Sequence, residues 1–131
     1  MIFVDTNAWV ALVDDKDKFH PHASSWFHNN SEQSFITSNL VILETLGWLR
    51  YNRGKKLAVE SGKRLLLSPD IKVERVSQTD ETGAWKLFQK LGGRGVSMVD
   101  CTSFVVMKRL KVKEVFTFDQ DFQKLGFKIY P

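Results

Sequence analysis

The 131-residue chain has a single cysteine, Cys101, so it cannot form an intrachain disulfide and nothing in it calls for an oxidising compartment. A reduced, cytoplasmic setting is the expectation. Histidines are scarce: His20, His22 and His28 fall near one segment, and the lone cysteine has no partner at ligand spacing, which argues against zinc. The acids Asp14, Asp15 and Asp17 lack the glycine and closing glutamate of an EF-hand loop, which argues against a calcium site of that kind. No apolar run approaches membrane-spanning length, and the first residues lack the basic segment and long apolar stretch of a signal peptide. Repeats, low-complexity tracts and clear linkers are also missing, so one domain over residues 1–131 is expected.

What the chain does have is the balance of an ordinary globular protein, 43% hydrophobic and 26% charged, enough to bury a real core. Its net charge of +4 points mildly to a polyanionic partner. The distribution says more than the total. Of the 15 acids, four are the candidates described below; the other 11 stand against 19 Lys and Arg, so a basic body surrounds an acidic pocket.

Short β-branched or aromatic runs alternate with longer segments of helical period, the pattern of an α/β domain. The expected strands are Ile2 to Val4, Phe35 to Thr37, Ile71 to Val76, Val115 to Phe118 and Lys128 to Tyr130. A short helix follows the first strand and gives way at Asp14. A second runs from Pro21 to about Asn30, and a third, capped by Ser38 or Asn39, reaches about Arg53 before Gly54 interrupts it. Further helices are expected over Lys55 to Leu67, from a cap at Ser77 or Thr79 to the flexible Gly92-Gly93-Arg94-Gly95, over Ser97 to about Leu110, and for one turn near Phe122.

Acids occur where burial alone would place something apolar. Asp5 directly follows Ile2, Phe3 and Val4, and Asp119 directly follows Val115 to Phe118, so both stand at the carboxyl ends of strands, where ligand sites form in open parallel sheets. Glu44 has Leu40, Val41, Gly47 and Trp48 as its helical neighbours at three and four positions, a face turned to a core or a cleft. Asp100 repeats the pattern, with Ser97 before it and Ser103, Phe104 and Met107 after it. Four inward acids from four segments repel one another unless a cation joins them. Hard oxygen donors suit Mg²⁺ or Mn²⁺, and such an ion makes a better nucleophile of water and stabilises charge on a phosphoryl oxygen.

Each acid alone has a plainer explanation. Ser97-x-x-Asp100 reads as a capping box, Asp5 with Thr6 as a helix cap, and Asp119 as a turn residue. Glu44 resists such a reading. Trp9, Trp26, Trp48 and Trp85 are expected in the core. Arg50, Arg53, Lys55 and Lys56 form the densest basic stretch, either an RNA-phosphate contact or a solvated face. A phosphatase with an aspartyl nucleophile at Asp5 needs a second Asp where Asn7 stands.

With Asp5-Thr6-Asn7 at the first strand end, Glu44 on a helix, Ser97-x-x-Asp100 opening another and Thr117-Phe118-Asp119-Gln120-Asp121-Phe122 near the end, the chain resembles the PIN-domain family over essentially its whole length. In size and motif spacing it is most similar to the VapC-type toxins of bacterial and archaeal toxin–antitoxin pairs. The resemblance implies a three-layer α/β/α fold with a central parallel sheet and Mg²⁺- or Mn²⁺-dependent endoribonuclease activity. It implies Asp5, Glu44, Asp100 and Asp119 as metal ligands, with Thr6, Asn7, Ser97, Thr117 and Asp121 as supporting groups. It also implies an antitoxin partner and a homodimer. The rival expectation is a catalytically silent module of the same fold that binds RNA or protein.

Overall fold

Five strands, β1 (Ile2–Val4), β2 (Phe35–Ser38), β3 (Ile71–Glu74), β4 (Glu114–Phe116) and β5 (Lys128–Tyr130), form one wholly parallel sheet in the order β3-β2-β1-β4-β5. The structure is a computed structural model that describes Met1–Pro131. Helices α1 (Thr6–Val13), α2 (His20–Asn29), α3 (Asn39–Arg53), α4 (Lys55–Leu67), α5 (Gln78–Lys90), α6 (Met98–Arg109) and α7 (Asp121–Lys124) make the connections. The crossovers run to opposite sides of β1, with α1 to α4 packed together over one face and α5 to α7 over the other, giving the expected three layers.

Burial explains the strand sequences. β1 and β2 lie inside the sheet with every residue buried; β1 is wholly apolar, and β2 runs from apolar Phe35 and Ile36 into Thr37 and Ser38, whose hydroxyls are hydrogen-bonded. The edge strand β3 is only partly covered and alternates Ile71, Lys72, Val73, Glu74. One continuous hydrophobic cluster joins Phe3 and Phe116 of the sheet to Phe104 of α6 and Phe122 of α7. Phe104 and Phe122 pack edge to face at 4.7 Å. On the opposite face, Trp26 lies 4.6 Å from Phe116 and 5.2 Å from Tyr130.

Caps set the helix starts. Ser38 Oγ accepts the Val41 N–H at 3.1 Å to open α3, and Ser77 and Ser97 each form a full capping box, with Asp80 and Asp100. Pro21 sits in the first turn of α2 as expected. Gly54, at φ 97°, allows the sharp turn from α3 into α4.

Two strands end earlier than their patterns suggest, for the same reason: the N–H two residues past the strand end is taken by a side chain. The expected strand to Val76 stops at Glu74, because the Val76 N–H donates to Asn39 Oδ1 at 2.8 Å. The expected strand to Phe118 stops at Phe116, because the Phe118 N–H donates to Asn7 Oδ1 at 2.9 Å. The expectation that all four tryptophans are core is corrected as well. Trp9 is buried, with its Nε1–H donating to Thr37 Oγ1, and Trp26 is largely covered, but Trp48 is 37% exposed and Trp85 53%. Trp85 faces outward on α5, stacked with Phe88.

Candidate active site

The chain runs outward from β1 through β2 to β3, then returns to β4 on β1's other side, so the topological switch point lies between β1 and β4. Crevices for ligands open beyond the strand ends at such a point. Val4 pairs with Phe116 in register, and the Asp5 N–H donates to the Phe116 carbonyl at 3.1 Å. Asp5 and the segment from Thr117 to Asp119 therefore leave the sheet side by side.

A cleft of about 380 Å³ opens there, lined by Asp5, Thr6, Asn7, Val10, Asp17, Glu44, Trp48, Ser97, Asp100 and Asp119. All four acids singled out in the sequence line it, brought by β1, α3, α6 and the segment after β4. Larger and more apolar hollows exist between α3 and α4 and between α1, α2 and α4, but neither gathers acids.

Asp5 is 2% exposed. The Thr117 hydroxyl lies 3.1 Å from its Oδ2, while Oδ1 is buried with no hydrogen-bond partner at all. The Thr6 hydroxyl beside it is likewise buried and unpartnered. Orphaned polar atoms of this kind cost free energy unless something else satisfies them. Burial, together with the negative charges of Asp100 and Glu44, pushes the Asp5 carboxyl up to about 7, against the opposing effect of the Thr6 backbone N–H and the Thr117 hydroxyl.

Asp100 is both a cap and a cleft residue. Its Oδ2 accepts the Ser97 N–H at 2.9 Å and its own N–H donates to Ser97 Oγ at 3.0 Å, so the capping box is real, yet the carboxylate still lines the cleft. Burial raises its pKa, and the Asp119 and Glu44 charges add to the rise against the Ser97 hydrogen bonds. Glu44 is half-buried in the cleft wall. Asp119 is held by its own backbone, its N–H donating to Thr117 Oγ1 at 3.1 Å, and its Oδ1 accepts the Asp121 N–H at 2.9 Å.

The supporting residues divide. Asn7 and Thr117 hold the segment after β4 against β1, Asn7 by accepting from the Phe118 N–H and Thr117 by lying between Asp5 Oδ2 and Asn7 Oδ1. Thr6 and Ser97 line the cleft. Asp121 does not: its carboxylate pairs with Lys124 at 3.3 Å, and only its backbone reaches the site. Among the basic candidates, Arg50, Lys55 and Lys56 are exposed and free of ion pairs. Arg53 is engaged, its Nε donating to Asp14 Oδ2 at 2.9 Å.

Three lining residues were not among the site candidates read from the sequence, the apolar Val10 and two with functional side chains. Asp17 is a fifth carboxylate in the cleft; the only signal for it was the acidic run in which it stands. Trp48 follows Glu44 by one helical turn and so shares its face. The five acids share a cleft without closing into a preassembled metal cage. Hard oxygen donors, mutual repulsion and the unpartnered Asp5 Oδ1 nonetheless fit a divalent cation, and Mg²⁺ in particular keeps several waters between itself and its protein ligands.

The PIN domain profile matches residues 2–128. The chain belongs to the PIN-domain family. A relative, the 23S rRNA-specific endonuclease VapC20 of Mycobacterium tuberculosis, is 35% identical over 127 residues, covering 97% of this chain and 95% of its own. The crystal structure of that VapC20, described as a sarcin-ricin loop cleaving toxin, aligns with a TM-score of 0.90 at 34% identity over 97% of this chain and 96% of its own. FitAcB from Neisseria gonorrhoeae shares the fold at a TM-score of 0.73 and 15% identity, over 100% of this chain and 97% of its own. No helix of this PIN domain is long and apolar enough to cross a membrane.

Proposed function

We propose that this PIN-domain protein is a divalent-metal-dependent endoribonuclease, the toxin of a toxin–antitoxin pair, working in the cytoplasm as one 131-residue catalytic unit. The observation that carries the reading is the buried, unpartnered Oδ1 of Asp5 in a cleft shared with Glu44, Asp100 and Asp119. Identity of 35% to an rRNA endonuclease over nearly the whole chain supports the reaction class. It also makes the sarcin–ricin loop of 23S rRNA the first substrate to test.

Asp5, Asp100 and Asp119 would hold Mg²⁺ or Mn²⁺, with Glu44 at its margin. The cation supplies neutralisation for the clustered acids and for a phosphoryl oxygen, and it acidifies water. Glu44, whose carboxylate makes no hydrogen bond within the protein and lines the cleft, would orient the attacking water and accept its proton. Thr117 and Asn7 keep Asp5 and Asp119 at a fixed separation, so the reacting groups meet without further ordering. A silent module of the same fold gains nothing from keeping all four acids in one cleft, where their repulsion is a standing cost.

The test is cleavage of a sarcin–ricin-loop hairpin by purified protein with Mg²⁺, Mn²⁺ or EDTA, beside the Asp100→Asn variant. Cutting that requires the ion and vanishes in the variant is expected. Equal cutting by Asp100→Asn, or no stabilisation of the native protein by Mn²⁺ in a thermal shift, would overturn the reading.

A further inference from the structure

We infer that Trp48, backed by Arg53 and Asp14, is a stacking platform for a nucleobase of the RNA bound in the acidic cleft, an inference that rests on the endoribonuclease reading above.

A large aromatic ring that keeps 37% of its surface in water at the mouth of a polar cleft is not explained by core packing. Trp48 is one helical turn beyond Glu44 on α3, so a nucleotide whose phosphate approaches Glu44 has a neighbouring base within reach of the indole.

The ring is also held in place. The Arg53 guanidinium lies over it, 5.4 Å from the ring centroid. That guanidinium is fixed by two hydrogen bonds, Nε to Asp14 Oδ2 at 2.9 Å and Nη1 to the Asn52 carbonyl at 3.1 Å. Asp14 is only 1% exposed, and its other oxygen accepts the Lys16 N–H at 3.1 Å, so both its oxygens are committed. A nearly buried carboxylate thus orients an arginine that lies against an exposed indole. Arg53 and Asp14 are positioning residues for that ring.

The electrostatics of the cleft call for such a grip. Five carboxylates line it, so away from the metal the phosphate backbone is repelled, and a lysine or arginine placed there would pair with the acids instead. Stacking on a base carries no such penalty, because it acts through a π-face that every base has. Arg53 itself is not among the cleft-lining residues, so its pairing with Asp14 holds the ring without placing a cation among the acids.

The test compares wild type, Trp48→Ala and Trp48→Phe on the sarcin–ricin-loop hairpin, after melting curves establish that all three fold. Trp48→Ala is expected to raise KM by about 5- to 100-fold, the range of one lost base–aromatic stack, while kcat falls less than about 3-fold; Trp48→Phe retains most of the affinity. Abasic substitutions scanned around the cleavage site supply the second readout. One of them should weaken wild type as much as Trp48→Ala does, and should add nothing in Trp48→Ala. An unchanged KM, or additive losses at every abasic position, overturns the platform and assigns the ring to a protein contact. RNA binding in EDTA, followed by the fluorescence lost in wild type but not in Trp48→Phe, separates this inference from the function it rests on. Binding with quenching but no cleavage in either metal sinks the nuclease and keeps the platform. Cleavage without a Trp48 effect does the reverse, and neither cleavage nor RNA binding, with either metal or in EDTA, removes both.

Discussion

Asn7 Oδ1 accepts the backbone N–H of Phe118 at 2.9 Å, joining the strand end that carries Asp5 to the segment that carries Asp119. This one amide both terminates β4 and sets the distance between two acids 114 positions apart in the chain. The Thr117 hydroxyl, 3.2 Å from the same Oδ1 and 3.1 Å from Asp5 Oδ2, completes the clasp.

Removing that clasp should harm activity more than stability. Asn7→Ala leaves the Phe118 N–H without its acceptor, at a cost of about 1–3 kcal/mol. Because Asp119 loses its fixed place, cleavage is expected to fall by at least about 10-fold at saturating metal. Parallel melting and single-turnover cleavage measurements check the ratio; a loss of stability with unchanged cleavage would refute it.

The pH dependence of stability follows from Asp5. Below its ordinary value of 3.8 the group is protonated in the folded and unfolded chain alike and contributes nothing. Between 3.8 and about 7 the folded protein keeps a proton that the unfolded chain has released, so stability falls as pH rises through this window. Above about 7 the full penalty, on the order of a few kcal/mol, is in place. Asp100, raised for similar reasons, acts with the same sign. Melting temperatures in EDTA should therefore decline between pH 4 and pH 7. The slope should flatten in Asp5→Asn and be offset in wild type by Mn²⁺.

At Asp100 the cap and the cleft can be told apart. Asparagine can still accept the Ser97 N–H and keep the box, whereas alanine cannot and should melt with about 1 kcal/mol less stability than Asp100→Asn. Both variants should be inactive. Asp100→Asn should equal or exceed wild type in stability without metal, since it relieves repulsion from Asp119 and Glu44. Denaturant melts of the three proteins in EDTA give the comparison.

Asp80 supplies the contrasting case of an acid that serves structure alone. It caps α5 through Ser77 and receives Arg109 of α6 in a two-pronged pair, Nε to Oδ1 at 2.9 Å and Nη2 to Oδ2 at 2.8 Å. The Arg109 hydrogen bonds are the main reason its carboxyl sits below the usual range, so its stabilisation is present above pH 3.8 and is lost as pH falls below that. Arg109 is 40% exposed, which screens the pair, and Asp80→Ala should cost only about 1–2 kcal/mol. Cleavage by the folded variant should match wild type.

The strand-end acids were legible because an apolar run closing on a carboxylate is a local pattern, and Glu44 because its helical neighbours are apolar. Asp17 was not, since its place depends on the turn from Asp14 to Phe19, held by side-chain acceptors at Asp14 and Asp17 and by Phe19 stacked on Phe118 at 4.3 Å. Trp48 and Trp85 were misjudged because helical period gives the spacing of a face but not what covers it. The outward-facing positions of α3 and α5 also carry large apolar side chains, among them Leu43 and Phe88, which blur the contrast. Arg53 looked free because its partner lies 39 positions earlier.

The place of β1 between β2 and β4 has a consequence for biosynthesis. After Asp5 emerges, the ribosome must add 112 more residues before Thr117 exists to sit against it, and Asp119 comes later still. Such distant pairing is slow to form and leaves nothing to assemble early. A chain made only as far as β3 therefore holds Asp5 and Glu44 without Asp100 or Asp119, and the four-acid cleft can close only once the segment after β4 exists.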